Sequence, residues 1–128
     1  MSEKHVVEAK DAPQAIGPYS AAVKTDTMVF TAGQLGVDPE SGEFSSGDIQ
    51  SQTRQALENL RAVLSAAGSS LSNVIKTTVF LRDMNEFQAM NEVYAEFFKE
   101  AYPARSAVQV ARLPKDAAVE IEAVALLK

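Results

Sequence analysis

Two residues near the C-terminus combine a reactive type with a rigid setting. Arg105 follows Pro103 and Ala104 at the start of an extended segment. A guanidinium rising from such an element can clamp a carboxylate through two parallel hydrogen bonds. A surface arginine paired with a neighbouring acid would have the same local sequence, so the type alone does not decide. Glu120 interrupts an otherwise apolar run from Ala117 to Ala125, and Glu122 falls two residues later, on the same face of any strand formed there. A carboxylate in that position can hold a water molecule and deprotonate it; the ordinary alternative is a solvated polar stripe. Glu-x-Glu also offers two hard metal ligands, but without others nearby the signal is weak. Tyr19 follows the turn Ile16-Gly-Pro18, which would fix the direction of its hydroxyl. Asn91 lies on the apolar side of a helical stretch, where a buried amide is either satisfied by the core or aimed into a pocket.

Composition limits what else could act. The chain has 128 residues, no cysteine and one histidine. Disulfides, thiolate metal sites and a cysteine nucleophile are removed together. His5 stands at the very start of the chain, a poor place for a Ser-His-Asp triad or a His-rich metal site. Acid and base work therefore falls to carboxylates, tyrosine, lysine or water. A net charge of -5 and a pI near 4.8 would repel phosphate backbones over most of the surface. Gly33-Gln-Leu-Gly36 copies the spelling of a KH-domain GxxG loop, but Asp38-Pro-Glu40 follows it and no basic residue is near. No Walker loop or dinucleotide fingerprint occurs. The N-terminal stretch lacks the apolar segment of a signal peptide, and a cytoplasmic protein is expected. Apolar residues make up 46% and charged ones 23%, ordinary for one soluble domain covering residues 1–128.

The elements that must carry these residues follow from periodicity. Val6-Val7 and Ala21–Lys24 read as short extended segments. Thr25-Asp-Thr27 supplies turn chemistry before a strand from Met28 to Ala32, and a glycine-rich loop then runs to about Gly47. Asp48 is a natural N-cap for a helix whose inner face is Ile49, Thr53, Ala56, Leu57, Leu60, Val63, Leu64 and Ala67, with Gly68 as the stop. Val74–Leu81 reads as a strand apolar on both faces, with Ile75 grouped with Thr77, Val79 and Leu81. A second helix puts Phe87, Met90, Asn91, Tyr94, Phe97, Phe98 and Ala101 on one side and ends before Pro103. Such aromatic spacing is more often core than a cofactor box. Two last strands, 104–110 and 119–127, are joined by Arg112–Asp116, too long for a tight hairpin. The order ββαβαββ leaves two helices to cover one sheet. Val124 and Leu126 share a face with Glu120 and Glu122, so apolar surface is left over, and a partner subunit is its natural cover.

Four stretches resemble the Rid (reactive intermediate deaminase) family, also called YjgF. They are Ala12–Ser20, Thr31–Pro39, Lys76–Phe80, and Pro103–Asp116 leading to Val119-Glu-Ile-Glu122. The resemblance runs from about Ala12 to the C-terminus. It implies an α+β, chorismate-mutase-like fold of the bacillus type: one mixed sheet with two helices on one face, assembled as a homotrimer with sites between subunits. It implies hydrolysis of 2-iminopropanoate and 2-iminobutanoate to 2-keto acids and ammonia, which clears reactive 2-aminoacrylate, a functional link to coenzyme-dependent serine and threonine dehydratases. No metal or cofactor is implied. Carried over, Arg105 would bind the substrate carboxylate with the backbone N–H of Ala107, and Glu120 would activate water. Tyr19, Gly33, Phe87 and Asn91 match pocket positions. Many relatives have serine where this chain has Ala32, and cysteine where it has Ala107. Two other readings stay open: a carboxylate-binding regulatory module without turnover, and an endoribonuclease or translation inhibitor, which the negative charge opposes.

Overall fold

The computed structural model describes residues 3–128. Three short strands open the fold as an antiparallel ribbon: β1 (His5–Val7), β2 (Ala22–Lys24) and β3 (Met28–Thr31). The turn between β2 and β3 is closed by Thr25, whose N–H donates to Met28 O at 2.9 Å. Its hydroxyl accepts from Met28 N at 3.2 Å, the local competition with the backbone that favours threonine in turns.

The glycine-rich segment is not wholly a loop. Gln34–Leu35 forms a two-residue strand, β4, which pairs with Ile121 and Glu120. The break between β3 and β4 would strand the N–H of Ala123, and the Thr31 hydroxyl accepts it at 3.0 Å. The return to the sheet is fastened from the helix side. Asn59 Nδ2 donates to the carbonyls of Leu35 and Val37, both at 2.9 Å. Gln52 accepts from Ala118 N at 2.7 Å. Both amides are buried, so their hydrogen bonds fix one arrangement of loop, helix and sheet.

Helix α1 spans Ile49–Ala67. Asp48 caps it, accepting from Ser51 N at 2.9 Å, and Gly68 ends it at φ 88° with Ser69 N returning to Leu64 O. All eight residues expected on its inner face are buried. Strand β5 covers Val74–Leu81 and helix α2 covers Phe87–Phe97. The second helix stops earlier than its apolar spacing suggests: Phe98 is already extended, and Ala101 takes a positive φ of 49° to turn the chain toward Pro103. Ile75 is also displaced from its expected face. A register shift between Val74 and Lys76 inserts it as a bulge, 40% exposed, while Thr77, Val79 and Leu81 face the helices.

The remaining strands are β6 (Ala104–Gln109) and β7 (Val119–Leu126). The sheet order is β1-β2-β3-β7-β5-β6, with β4 also on β7. β5 and β6 are parallel, with α2 as the crossover; every other pair is antiparallel. Because β5 lies between β6 and β7, their connection must cross it, which explains its length. Val29, Val79, Leu81, Val119, Ile121 and Ala125 pack under the helices with no more than trace exposure. The opposite face carries Phe30 at 46%, Val108 at 43% and Leu126 at 45% exposure. Among the described residues no helix is long and apolar enough to cross a membrane.

Candidate active site

Arg105 is on β6, the edge strand, and is paired with Thr77 of β5. Paired residues share a face, so its side chain rises on the side of α2. There Asn91 Oδ1 accepts from Arg105 Nη1 at 2.7 Å. The guanidinium carbon lies 4.7 Å from the Tyr94 ring centre and 5.4 Å from that of Phe87, within cation–π range. Positions 87, 91 and 94 recur at helical spacing and present one stripe to the arginine. Tyr94 is anchored in turn, its hydroxyl 2.8 Å from that of buried Thr77. Burial raises the Tyr94 pKa against the opposing effects of the Thr77 bond and the Arg105 charge, so the phenol stays neutral. Sequence reading counted Tyr94 as core and did not single out Thr77. The 87/91/94 stripe was the available signal, and it became meaningful only once α2 lay across β6.

A recess of about 470 Å³ opens beside this cluster, walled by Asn91, Tyr94, Phe98, Tyr102 and Arg105. The Ala107 backbone faces the same open edge. Val110 N–H donates inward to Leu81 O at 3.0 Å, and backbone direction alternates along a strand, so the N–H groups of Arg105 and Ala107 point away from β5.

Glu120 stands elsewhere. It pairs with Phe80 on one side and Leu35 on the other, on the sheet face that the helices leave open. Among the described residues none hydrogen-bonds its carboxylate. Partial burial pushes its pKa up, and the charge of Glu122 adds to the rise. The carboxyl group lies directly against Gly33. Gly33 and Tyr19 line a second cavity of about 380 Å³ with Ile16, Leu35 and Lys115. The seven expected site residues therefore form two groups. Arg105, Asn91, Phe87 and Ala107 are on the helix side of β6 and its edge; Glu120 lies against Gly33 on the other side, and Tyr19 shares a cavity with Gly33. One copy of the chain does not bring the arginine and the glutamate together.

Ala32 has a backbone role here, its N–H donating to Ala21 O at 2.8 Å. Among the described residues no three His, Asp or Glu side chains form a group suited to a metal ion.

These features define an α+β protein with a fixed cation and an unpartnered carboxylate on opposite faces of one mixed sheet. A family model described as endoribonuclease L-PSP matches residues 9–127. The chain is 58% identical over 122 residues to a RutC family protein of Pyrococcus horikoshii, covering 95% of this chain and 97% of that one. It is 49% identical over 123 residues to 2-iminobutanoate/2-iminopropanoate deaminase of Homo sapiens, covering 96% and 90%. The structure of Escherichia coli TdcF with bound serine matches it with a TM-score of 0.92 at 50% identity, covering 97% and 99%. The chain belongs to the endoribonuclease L-PSP family, the family its motifs resemble under the name Rid or YjgF.

Proposed function

We propose that this protein hydrolyses short 2-imino acids, 2-iminopropanoate and 2-iminobutanoate, to 2-keto acids and ammonia, in a homotrimer whose sites lie between subunits. The observation that carries the proposal is the split site. A preorganised guanidinium stands at a sheet edge, and a partly buried carboxylate with no hydrogen-bond partner stands on the opposite face. Packing the open face of one copy against the β6 edge of the next would unite them and cover Phe30, Val108 and Leu126 together. The human relative is named for this activity, and TdcF binds serine, which offers the same α-carboxylate.

In this reading Arg105 and the Ala107 N–H hold the substrate carboxylate. Glu120 accepts a proton from water as its oxygen adds to the C=N carbon, giving a carbinolamine. That proton passes to the imine nitrogen to complete the carbinolamine; Glu120 then takes the hydroxyl proton and returns it to the amine nitrogen as C=O forms and the C–N bond breaks, and ammonia leaves. An imine carbon is already electrophilic, so position and proton transfer suffice. Burial, and then the charge of Glu122, raise the Glu120 pKa, the direction that suits a group which both takes and returns a proton. Thr31 accepts from Ala123 N and keeps its own proton to donate, so Thr31 or water stands where relatives have the serine hydroxyl. Clearing 2-aminoacrylate released by serine or threonine dehydratases in the cytoplasm is the corresponding role.

The test couples a threonine dehydratase to the purified protein and follows ammonia and 2-ketobutanoate release. Faster release with wild type, and not with Arg105→Ala or Glu120→Gln, supports the reading. Keto-acid binding without acceleration points instead to a regulatory carboxylate-binding module.

A further inference from the structure

We propose that Gly33 is the seat of Glu120: the missing side chain at position 33 is the space the carboxyl group occupies, making Gly33 a positioning residue for the water-activating step. The inference rests on the deaminase reading for its catalytic meaning, though not for its geometry.

A Cβ built on Gly33 would lie 2.6 Å from Cδ and 2.8 Å from Cγ of Glu120, closer than real Cβ atoms approach carbon. The conflict reaches Cγ, so turning the terminal carboxylate does not relieve it; the side chain must leave its present rotamer. Nor can position 33 retreat easily. The preceding Ala32 N–H is bonded to Ala21 O at 2.8 Å, and the following Gln34 is buried and paired with Ile121.

The other glycines separate this role from ordinary ones. Gly42 and Gly68 have positive φ values of 75° and 88° with open space at the Cβ position, so they serve backbone conformation. Gly36 would drive a Cβ to 2.6 Å from the Gln52 Cα, so it serves the approach of α1 to the sheet. Gly33 has no positive φ, so the left-handed region does not account for the glycine there. The three atoms nearest to a side chain there all belong to Glu120. The alternatives open to a displaced carboxylate are poor: Phe80 and Leu35 flank it, and Glu122 shares its face.

Gly33→Ala, Glu120→Gln and their double variant test this. Turnover is measured in the coupled assay, pyruvate binding by calorimetry, and the Glu120 carboxyl titration by 13C NMR, assigned by its loss in Glu120→Gln. Gly33→Ala is expected to keep pyruvate affinity, lose about ten- to a hundredfold in kcat, and move the Glu120 titration toward the ordinary glutamate value. The double variant is expected to be no slower than Glu120→Gln alone. Unchanged kcat, an unmoved titration, or an equal slowing in the Glu120→Gln background overturns the proposal. If wild type shows no turnover, the deaminase reading falls and the 13C titration alone decides the seat. Should Gly33→Ala not fold, adding Glu120→Ala decides: recovery supports the seat, and continued misfolding overturns it.

Discussion

Arg105 is held by one hydrogen bond and two ring faces, and the ring beneath it is itself anchored to Thr77. Glu120 is held by packing alone, against Gly33 and between Phe80 and Leu35, with nothing bonded to its oxygens among the described residues. A group that binds gains from having its orientation fixed before the ligand arrives, because less freedom is then lost on binding. A group that moves protons must keep its lone pairs free and its pKa near the working pH. The two regions of one sheet therefore differ in the way their proposed tasks require.

The strongest way to break this comparison is Arg105→Ala. Losing a charge-assisted clamp costs about 2–5 kcal/mol, so kcat/KM should fall by about one and a half to three and a half orders of magnitude and pyruvate binding should vanish in calorimetry. Glu120→Gln should divide the effects: kcat falls about a hundredfold, the lower range for a lost general base, while pyruvate still binds. If Glu120→Gln lost the ligand as well, the carboxylate would be a binding group and the contrast would dissolve. Tyr94→Phe is a finer probe. It keeps the ring under the guanidinium but removes the partner of buried Thr77, at a cost of about 1 kcal/mol in stability. Its KM should rise severalfold with kcat unchanged, because only the anchoring of Arg105 is loosened.

Much of this was legible in residues taken one at a time. Asp48, Gly68 and the α1 stripe are local signals, and the capped helix follows from them. Val74–Leu81 was readable as a strand because its length and β-branched content are local too. The failures share a different cause. β4 has two residues, too few to show a period, and exists because β7 needs a partner beyond the end of β3. The bulge at Ile75 is set by pairing with β7, not by Ile75. Arg105 and Glu120 were identifiable as types, but their opposite faces depend on the parallel register of β5 and β6 and on β7 entering between β3 and β5. Long-range pairing decides such things, and no window of sequence contains it.

The smallest effect discriminates between two carboxylates in the folded chain. Hydrogen bonds from Ser46 and from the Ser51 backbone lower the Asp48 pKa to about 2. Its contribution to stability is present above the ordinary aspartate value and is lost as pH falls through the lowered one. Glu120 runs the other way: its folded pKa is raised, so its contribution is full below the ordinary glutamate value and is lost as pH rises through the raised one. Above that point the protein carries a charge that burial and Glu122 both disfavour. Glu120→Gln removes the charge, so its melting temperature should match wild type below the ordinary glutamate value and exceed it by a few degrees once the pH passes the raised one. Melting curves recorded across pH settle the matter. A variant that melted below wild type as pH rose would mean that a cation stabilises the carboxylate in the assembled protein, and Glu120 would then belong with Arg105 as a held group rather than a free one.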